Sequence, residues 1–275
     1  RCLFQKTDQF LTSHVSGGKV DYSSIHNNPA ELNELSRMIS SQSLVDASEM
    51  EVKAFYINAY NLLVIESIIE RYPISSSQDI AGFFDSNKHE VAGEKLTINQ
   101  VEKERLIPSK DPRLHFVLVC AAISCPVIEP FAYLPSTLDQ QLEEQTEKAL
   151  INTSFIRIDN GEKVVQLSKI FSWYKKDFTQ NGNTVLDYVN TYRKNRIPSD
   201  YKVNSYEYDW ALNDVRTINT LDDRAEVELS NLQAFTPSAL FKRGQYEVNV
   251  FNSIYSQQER RNSQCDLESV GGTQS

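Results

Sequence analysis

The stretch from Arg113 to Pro126 carries the side chains best suited to chemistry. Its apolar run, Leu114–Ile123, is interrupted by one ionisable residue, His115, and Cys125 follows directly before a proline. The run is typical of a buried β-strand, which we predict over residues 114–120. A thiol and an imidazole are the two groups that nucleophilic cysteine catalysis requires. The stretch therefore predicts a thiol site at the end of a central strand.

This site depends on how the backbone folds. Residues ten apart on a straight strand lie about 33 Å apart, so the chain must fold back after Val119 or return Cys125 across the sheet to His115. A helical turn beginning at Pro126 would offer free N–H groups that favour a thiolate and stabilise an oxyanion. Cys120 is expected to be a buried, inert thiol. It can form a disulfide with Cys125 only if the chain turns between them.

A catalytic imidazole also needs a partner that fixes its tautomer. Glu102, on a short helix that precedes the strand, is the preferred candidate. Asp111, Glu129 and Asp177 are alternatives, because periodicity does not single out Glu102 from its charged neighbours.

Two asparagines, Asn58 and Asn61, interrupt an otherwise apolar helix three residues apart, and therefore on one face. A buried amide without a partner costs about 1–3 kcal/mol, so both side chains must hydrogen-bond to something. They bind either a substrate carbonyl or the backbone of a loop near the site, and the two roles are equally compatible with the sequence.

Composition limits the classes of partner. The 275-residue chain has 37 acidic and 28 basic residues and a formal net charge of −9, which argues against nucleic acid or an anionic membrane as the main partner. No apolar run approaches the roughly 20 residues of a membrane span, so we predict no transmembrane segment. No cluster has metal-ligand spacing and no nucleotide-binding motif is found, so we expect no metal and no cofactor.

The remaining patterns predict an α+β fold with helices packed on an antiparallel-dominated sheet. Helices are expected from Pro29, over 49–71 and from Thr97, Ser136, Ser168 and Thr184. Strands are expected over 155–158 and 164–167, joined as a hairpin by Asp159-Asn-Gly161, and over 201–210.

The sequence pattern changes after Asn213, because residues 214–275 lack a sustained helical period and end in polar residues and glycine. Residues 1–213 are predicted to form one domain, and residues 214–275 a C-terminal extension of unknown role whose last part is disordered. The aromatic stretch 241–255 has strand character. The chain begins with Arg1 rather than Met, which is compatible with either a processed or a truncated product. This start, together with the tail, favours the bacterial periplasm or cell envelope.

Five motifs in order resemble family 547 of the domains of unknown function, DUF547, together with Val20-Asp-Tyr22. The motifs are Ala54–Asn61, Leu96–Glu102, Asp111–Pro126, Leu167–Phe178 and Tyr208–Asn213. The resemblance covers about residues 15–213. Within the extension, residues 234–244 resemble the opening of bacterial outer-membrane proteins.

The resemblance implies common ancestry with the family but no particular activity, since the family has no established reaction. Its similarity to papain-like and transglutaminase-like thiol enzymes implies that fold here. It also implies Cys125 as nucleophile, His115 as base and Glu102 as orienting acid, while Asn58 and Asn61 match the asparagine pair of the family.

Three functions follow as expectations. The first is a cysteine-dependent acyl-transfer enzyme, a hydrolase or transferase acting on the amide or ester bond of a peptide or other acyl substrate. The second is a non-catalytic module that binds a peptide or polymer in the same cleft through Asn58 and Asn61. The third is a structural accessory fused to an envelope protein.

Overall fold

The computed structural model describes residues 2–216, and within them the chain has the predicted α+β architecture. The α-helices are α1 (Cys2–His14), α2 (Tyr22–Asn27), α3 (Ala30–Ser41), α4 (Glu49–Ile69), α5 (Ile98–Gln100), α6 (Leu138–Ile151), α7 (Ile170–Trp173), α8 (Lys175–Phe178) and α9 (Val185–Thr191). The strands are β1 (Val15–Ser16), β2 (Lys19–Val20), β3 (Lys88–Val91), β4 (Glu94–Thr97), β5 (Ile156–Asp159), β6 (Val164–Leu167) and β7 (Lys202–Ser205).

The strands form small sheets that are mostly antiparallel. β1 pairs with β2, β3 with β4 and β5 with β6, all antiparallel, whereas β7 adds to β6 in parallel. The predicted hairpin is confirmed, with Ile156 opposite Leu167. The predicted last strand is shorter than expected, because only Lys202–Ser205 of it pairs along β6.

Three helix starts predicted from capping chemistry are confirmed as capping boxes. In each, the N-cap hydroxyl accepts a hydrogen bond from the backbone three residues on, and that residue's side chain returns one. The pairs are Ser48 with Glu51, Thr97 with Gln100, and Thr184 with Asp187. The start predicted at Ser136 is shifted, since α6 begins after Thr137 and has no side-chain cap.

Helix α4 is the centre of the larger hydrophobic core. Fourteen of its residues are buried, which explains its lack of a polar face. By length and composition alone it also qualifies as a membrane span, although no apolar run of that length was predicted. However, 78% of its most apolar stretch is buried inside the fold, as is typical of a core helix.

The predicted central strand over 114–120 is wrong. Asp111 caps a 3-10 helix, Pro112–Phe116, by accepting a hydrogen bond from the backbone N–H of Arg113. Proline at the first position favours this helical start. An irregular, buried segment then continues to Cys125. The apolar run correctly indicated burial, but burial alone does not distinguish a strand from a buried turn.

This buried segment lies where two hydrophobic clusters meet. Leu114, Val117 and Val119 belong to the cluster around α4. Phe116 and Cys125 belong to a second cluster, which also contains residues of β5, β6, α7, α8 and α9. Because the segment supplies side chains to both clusters, it holds its polar groups at their boundary.

The ends of the described region pair with each other. The backbone N–H of Val20 donates to the carbonyl of Asn213, and Tyr22 donates to the side chain of Asn213 at 2.9 Å. The pairing continues past the predicted boundary at 213, because Asp214 accepts a hydrogen bond from Tyr72 at 2.7 Å. The other predictions for the extension, including its disordered end, the strand at 241–255 and the resemblance at 234–244, lie outside the described residues.

Candidate thiol site

The two cysteines of the buried segment are joined by a disulfide, Cys120–Cys125. Their Cα atoms lie 6.0 Å apart, although five residues of extended chain would span about 16 Å. The chain therefore turns between the two cysteines, as this bond requires. Cys120 is consequently not the inert buried thiol that was expected, and the sulfur of Cys125 is not a free thiol in this state.

The turn is fixed by hydrogen bonds to the last motif. Ala121 adopts a left-handed φ of 59°, which reverses the chain. The N–H groups of Ile123 and Ser124 then donate to the carbonyls of Ala211 and Asp209. These bonds satisfy the two backbone N–H groups that precede Cys125 and fix the turn on which it lies.

Two donors reach the sulfur of Cys125. The backbone N–H of Cys120 lies 2.8 Å from Sγ, and the Tyr208 hydroxyl lies 3.4 Å from it. Within the described residues no helix begins at Pro126, so the condition for a helix N-terminus acting on this sulfur is not met. Hydrogen bonds donated to sulfur favour a thiolate, and here they come from a turn and a tyrosine instead.

His115 is oriented by Asp177. Its Nε2 lies 2.8 Å from Oδ2 of Asp177, on α8, and its ring stacks on Tyr174 with centroids 3.9 Å apart. Asp177 was one of the alternatives, and it, rather than the preferred Glu102, is hydrogen-bonded to His115, while the catalytic role of either acid stays a prediction. In the neutral imidazole the proton sits on Nε2 facing the carboxylate, which leaves the Nδ1 lone pair available as a base.

Burial lowers the pKa of His115 below its ordinary value, while the hydrogen bond and charge of Asp177 act in the opposite direction. The folded protein therefore binds this proton less tightly than the unfolded chain. The neutral imidazole therefore contributes fully to the free energy of unfolding above the unfolded-state pKa of about 6.5. This contribution is lost as the pH falls from that value through the lower pKa of the folded protein.

We expect His115 to titrate below about 6.5, and Asp177→Asn to lower its pKa further by removing the favourable carboxylate. NMR titration of the imidazole Cε1 protons measures both values. His115→Gln assigns the resonance among the four histidines. A His115 pKa that rises in Asp177→Asn would contradict the assignment of Asp177 as its partner.

Glu102 is buried near the pair without being bonded to His115. It lies in a π-helical turn, Val101–Leu106, that continues α5, and the residue is 4% exposed. Burial raises its pKa, and hydrogen bonding to Tyr174 lowers it in part. Its Oε1 has no hydrogen-bond partner among the described residues.

A cleft of about 280 Å³ collects these groups. His115, Cys120, Cys125 and Glu102 all line it. Its other walls are mainly aromatic and include Tyr60, Trp173, Tyr174, Tyr208 and Trp210. The fold thus places the three residues predicted as catalytic on one solvent-reachable surface.

Asn58 and Asn61 clamp backbone. Asn61 donates to the carbonyl of Val117 at 2.9 Å and accepts from the N–H of Val119 at 3.1 Å. Asn58 makes the equivalent pair of bonds with the backbone of Tyr133, at 2.7 and 3.0 Å. Neither side chain lines the cleft, and their hydrogen bonds agree with the loop-clamping alternative, while substrate binding by this pair stays a prediction.

We expect Asn61→Ala to lower the free energy of unfolding by about 2–4 kcal/mol, because it leaves two buried backbone groups without partners. Urea denaturation followed by circular dichroism measures the loss. Asn33→Ala is the matched control, since Asn33 is exposed on α3. A loss in Asn61→Ala no greater than in the control would show that the clamp does not hold the segment.

The other acidic alternatives have different partners. Asp111 pairs with Arg113, which also reaches Asp139 and Glu143 on α6. Glu129 pairs with Lys148 at 3.0 Å. Arg113 therefore connects the 3-10 helix to α6, and Glu129 connects the chain after Cys125 to the same helix. Within residues 2–216, no group of three or more metal-binding side chains is found.

Sequence reasoning missed the aromatic lining of the cleft. Tyr174 contacts both His115 and Glu102, and the Tyr208 hydroxyl lies within 3.4 Å of both sulfurs. A signal was present, because the motifs Leu167–Phe178 and Tyr208–Asn213 are rich in aromatic residues. Which of these rings face the site depends on the packing of α7 and α8 against the buried segment.

Comparison with known proteins agrees with the motif resemblance. Residues 44–150 match the family model described as "Protein of unknown function, DUF547". No curated protein and no solved structure matches the chain. The matched residues include α4, the π-helical turn, the 3-10 helix with His115 and both cysteines of the disulfide. The predicted span of 15–213 is wider than this match, and the similarity to papain-like enzymes stays a prediction. Residues 44–150 of the chain are therefore similar to the DUF547 family.

Proposed function

We propose that the reduced form of this protein is a thiol-dependent acyl-transfer enzyme that acts on an ester or amide. One observation carries the proposal: a single cleft is lined by Cys125 and by a histidine that is hydrogen-bonded to a carboxylate. A nucleophile, a base and an orienting acid are the parts that such catalysis requires.

Catalysis begins once a dithiol reductant opens Cys120–Cys125, which yields two thiols and the oxidised reductant. His115 takes the proton of Cys125 through its free nitrogen, and the sulfur bonds to the substrate carbonyl carbon. The bond from that carbon to the leaving oxygen or nitrogen breaks, and the leaving group receives the proton from His115. Water then cleaves the thioester and regenerates the thiol.

Each neighbouring group has a role in this scheme. Asp177 holds the imidazole in the tautomer that accepts the thiol proton, and stabilises its cationic form. The Cys120 N–H and the Tyr208 hydroxyl stabilise the sulfur anion. Asn58 and Asn61 hydrogen-bond to backbone, so in this scheme they hold the segments around the site in place and do not touch the substrate.

The test is detection of the acyl-enzyme. Reduced protein is mixed with p-nitrophenyl acetate, a burst of p-nitrophenolate is recorded, and the acetylated peptide is identified by mass spectrometry. We expect one acetyl group per chain on Cys125 and none in Cys125→Ala. Absence of a burst, or acetylation with the same rate and site pattern in Cys125→Ala, would overturn the proposal.

A second candidate is a non-catalytic binding module. It is favoured by Trp173, which is 50% exposed at the cleft and packs against Tyr208 and Trp210 with centroids 4.8 and 5.9 Å away. Exposed aromatic rings are typical of surfaces that bind peptides or polymers. In this reading the disulfide is structural, and Cys125 stays unreactive after reduction.

A further inference from the structure

Glu102 presents an unsatisfied carboxylate oxygen at the cleft. Glu102 is only 4% exposed, its Oε1 has no hydrogen-bond partner among the described residues, and the residue lines the cleft. A buried charge or polar atom without a partner is costly, so such an atom at a binding surface indicates a missing ligand group. The ligand group must donate a hydrogen bond, since a carboxylate oxygen accepts one.

Aromatic rings surround this carboxylate. The Tyr174 ring stacks on His115 and its hydroxyl interacts with Glu102. Trp173, Tyr208 and Trp210 form a connected group of rings along the same cleft. Aromatic faces attract cations by about 0.5–2 kcal/mol each, most strongly where water is excluded.

The charge of the lining has one sign. The carboxylic acids that line it are Glu102 and Asp85, and no lysine or arginine lines the cleft in the described part of the chain. Asp85 is hydrogen-bonded by Asn99, whereas Oε1 of Glu102 is unsatisfied. The potential inside the cleft therefore favours a positive ligand and disfavours a phosphate or carboxylate.

We propose that the cleft binds an organic ammonium group between the Glu102 carboxylate and the aromatic rings, so that the substrates of this site carry such a group near the reacting acyl carbon. Its catalytic meaning rests on the proposed function, but the binding itself does not. The ammonium donates to Oε1 and its alkyl carbons pack against Trp173 and Tyr174. A neutral or anionic substrate leaves Glu102 unsatisfied.

The two tryptophans of the chain give a direct measurement. Trp173 and Trp210 both line the cleft, so intrinsic tryptophan fluorescence reports on it alone. We titrate the full chain with n-butylammonium chloride, with sodium chloride at equal ionic strength and with 1-butanol. We expect a saturable change with n-butylammonium, at least tenfold tighter than with 1-butanol, and none with sodium chloride.

Variants identify the carboxylate. Glu102→Gln keeps the shape and removes the charge, and we expect at least a tenfold weaker n-butylammonium affinity. Glu104→Gln is the control, because Glu104 is exposed on the same helical turn. Equal affinity in wild type and Glu102→Gln, or equal binding of n-butylammonium and 1-butanol, would overturn the inference.

A second variant keeps the test decisive if Glu102→Gln fails to fold by circular dichroism. Trp173→Leu alters a half-exposed ring and leaves Trp210 as the reporter. We expect it to weaken n-butylammonium binding severalfold, and unchanged affinity would contradict a cation held against the rings.

The titration is repeated in Cys125→Ser, which cannot form an acyl-thiol. Ammonium binding that persists there, with no acetylation in reduced wild type, would retain this inference and reject the proposed function. Acetylation of Cys125 without ammonium binding would do the reverse.

Discussion

Cys120→Ser is expected to make Cys125 reactive without reductant. In the wild-type chain the disulfide removes the nucleophile, so alkylation of Cys125 by iodoacetamide should need prior reduction, with a difference on the order of 100-fold or more. In Cys120→Ser this difference should vanish, because no partner remains within the turn. Mass spectrometry of the peptide that contains Cys125, with and without a dithiol reductant, measures both rates.

The converse variant is the control. Cys125→Ser releases Cys120, which shares the turn and the Tyr208 hydroxyl but is not the proposed nucleophile. Its thiol should react slowly whether or not reductant is present. If Cys125 in Cys120→Ser reacts no faster than Cys120 in Cys125→Ser, the geometry does not select Cys125.

His115→Ala is expected to lower the rate of Cys125 acylation in the reduced protein by about 10²–10⁴-fold, the usual contribution of a general base. Asp177→Asn should lower it by about 10–150-fold, since a hydrogen bond to a charged group contributes about 1.5–3 kcal/mol. The p-nitrophenolate burst rate measures both changes. The single variants and the double variant together test whether the pair acts as a unit.

His26→Ala is the matched control for this series. His26 is exposed on α2, and it does not line the cleft. Its removal should leave the burst rate unchanged. A double variant whose loss equals the product of the two single losses would show that Asp177 does not act through His115.

Local chemistry made much of the fold predictable from the sequence. The helix starts at Ser48, Thr97 and Thr184 depend on side chains within three residues, as does the hairpin turn at Asp159–Gly161. The segment around His115 was harder to predict, because its backbone is satisfied by Asn61 from a distant helix and by the chain near Asn213. From the sequence alone these distant partners cannot be identified, and an apolar run without them is predicted to be a strand.

The site, like the fold, was predictable where neighbouring residues determine it and not where distant packing does. The sequence predicted Cys125, His115 and Glu102, and the fold brings all three to one cleft. Asp177 could not be preferred over Glu102, because the choice depends on how α8 packs against the 3-10 helix. The disulfide could not be predicted because it depends on a turn at Ala121. A left-handed turn is usually indicated by a glycine, and this position has an alanine.

The most direct test of the account compares the two thiols in the reduced wild-type chain. Cys120 is the more exposed of the pair and Cys125 is buried, at 7% exposure, so accessibility alone favours Cys120. Iodoacetamide alkylation followed by peptide mass spectrometry gives both rates in one sample. We predict that Cys125 reacts faster than Cys120 and that His115→Ala abolishes the difference. Faster reaction of Cys120, or a preference for Cys125 that survives His115→Ala, would contradict a thiol activated by this imidazole.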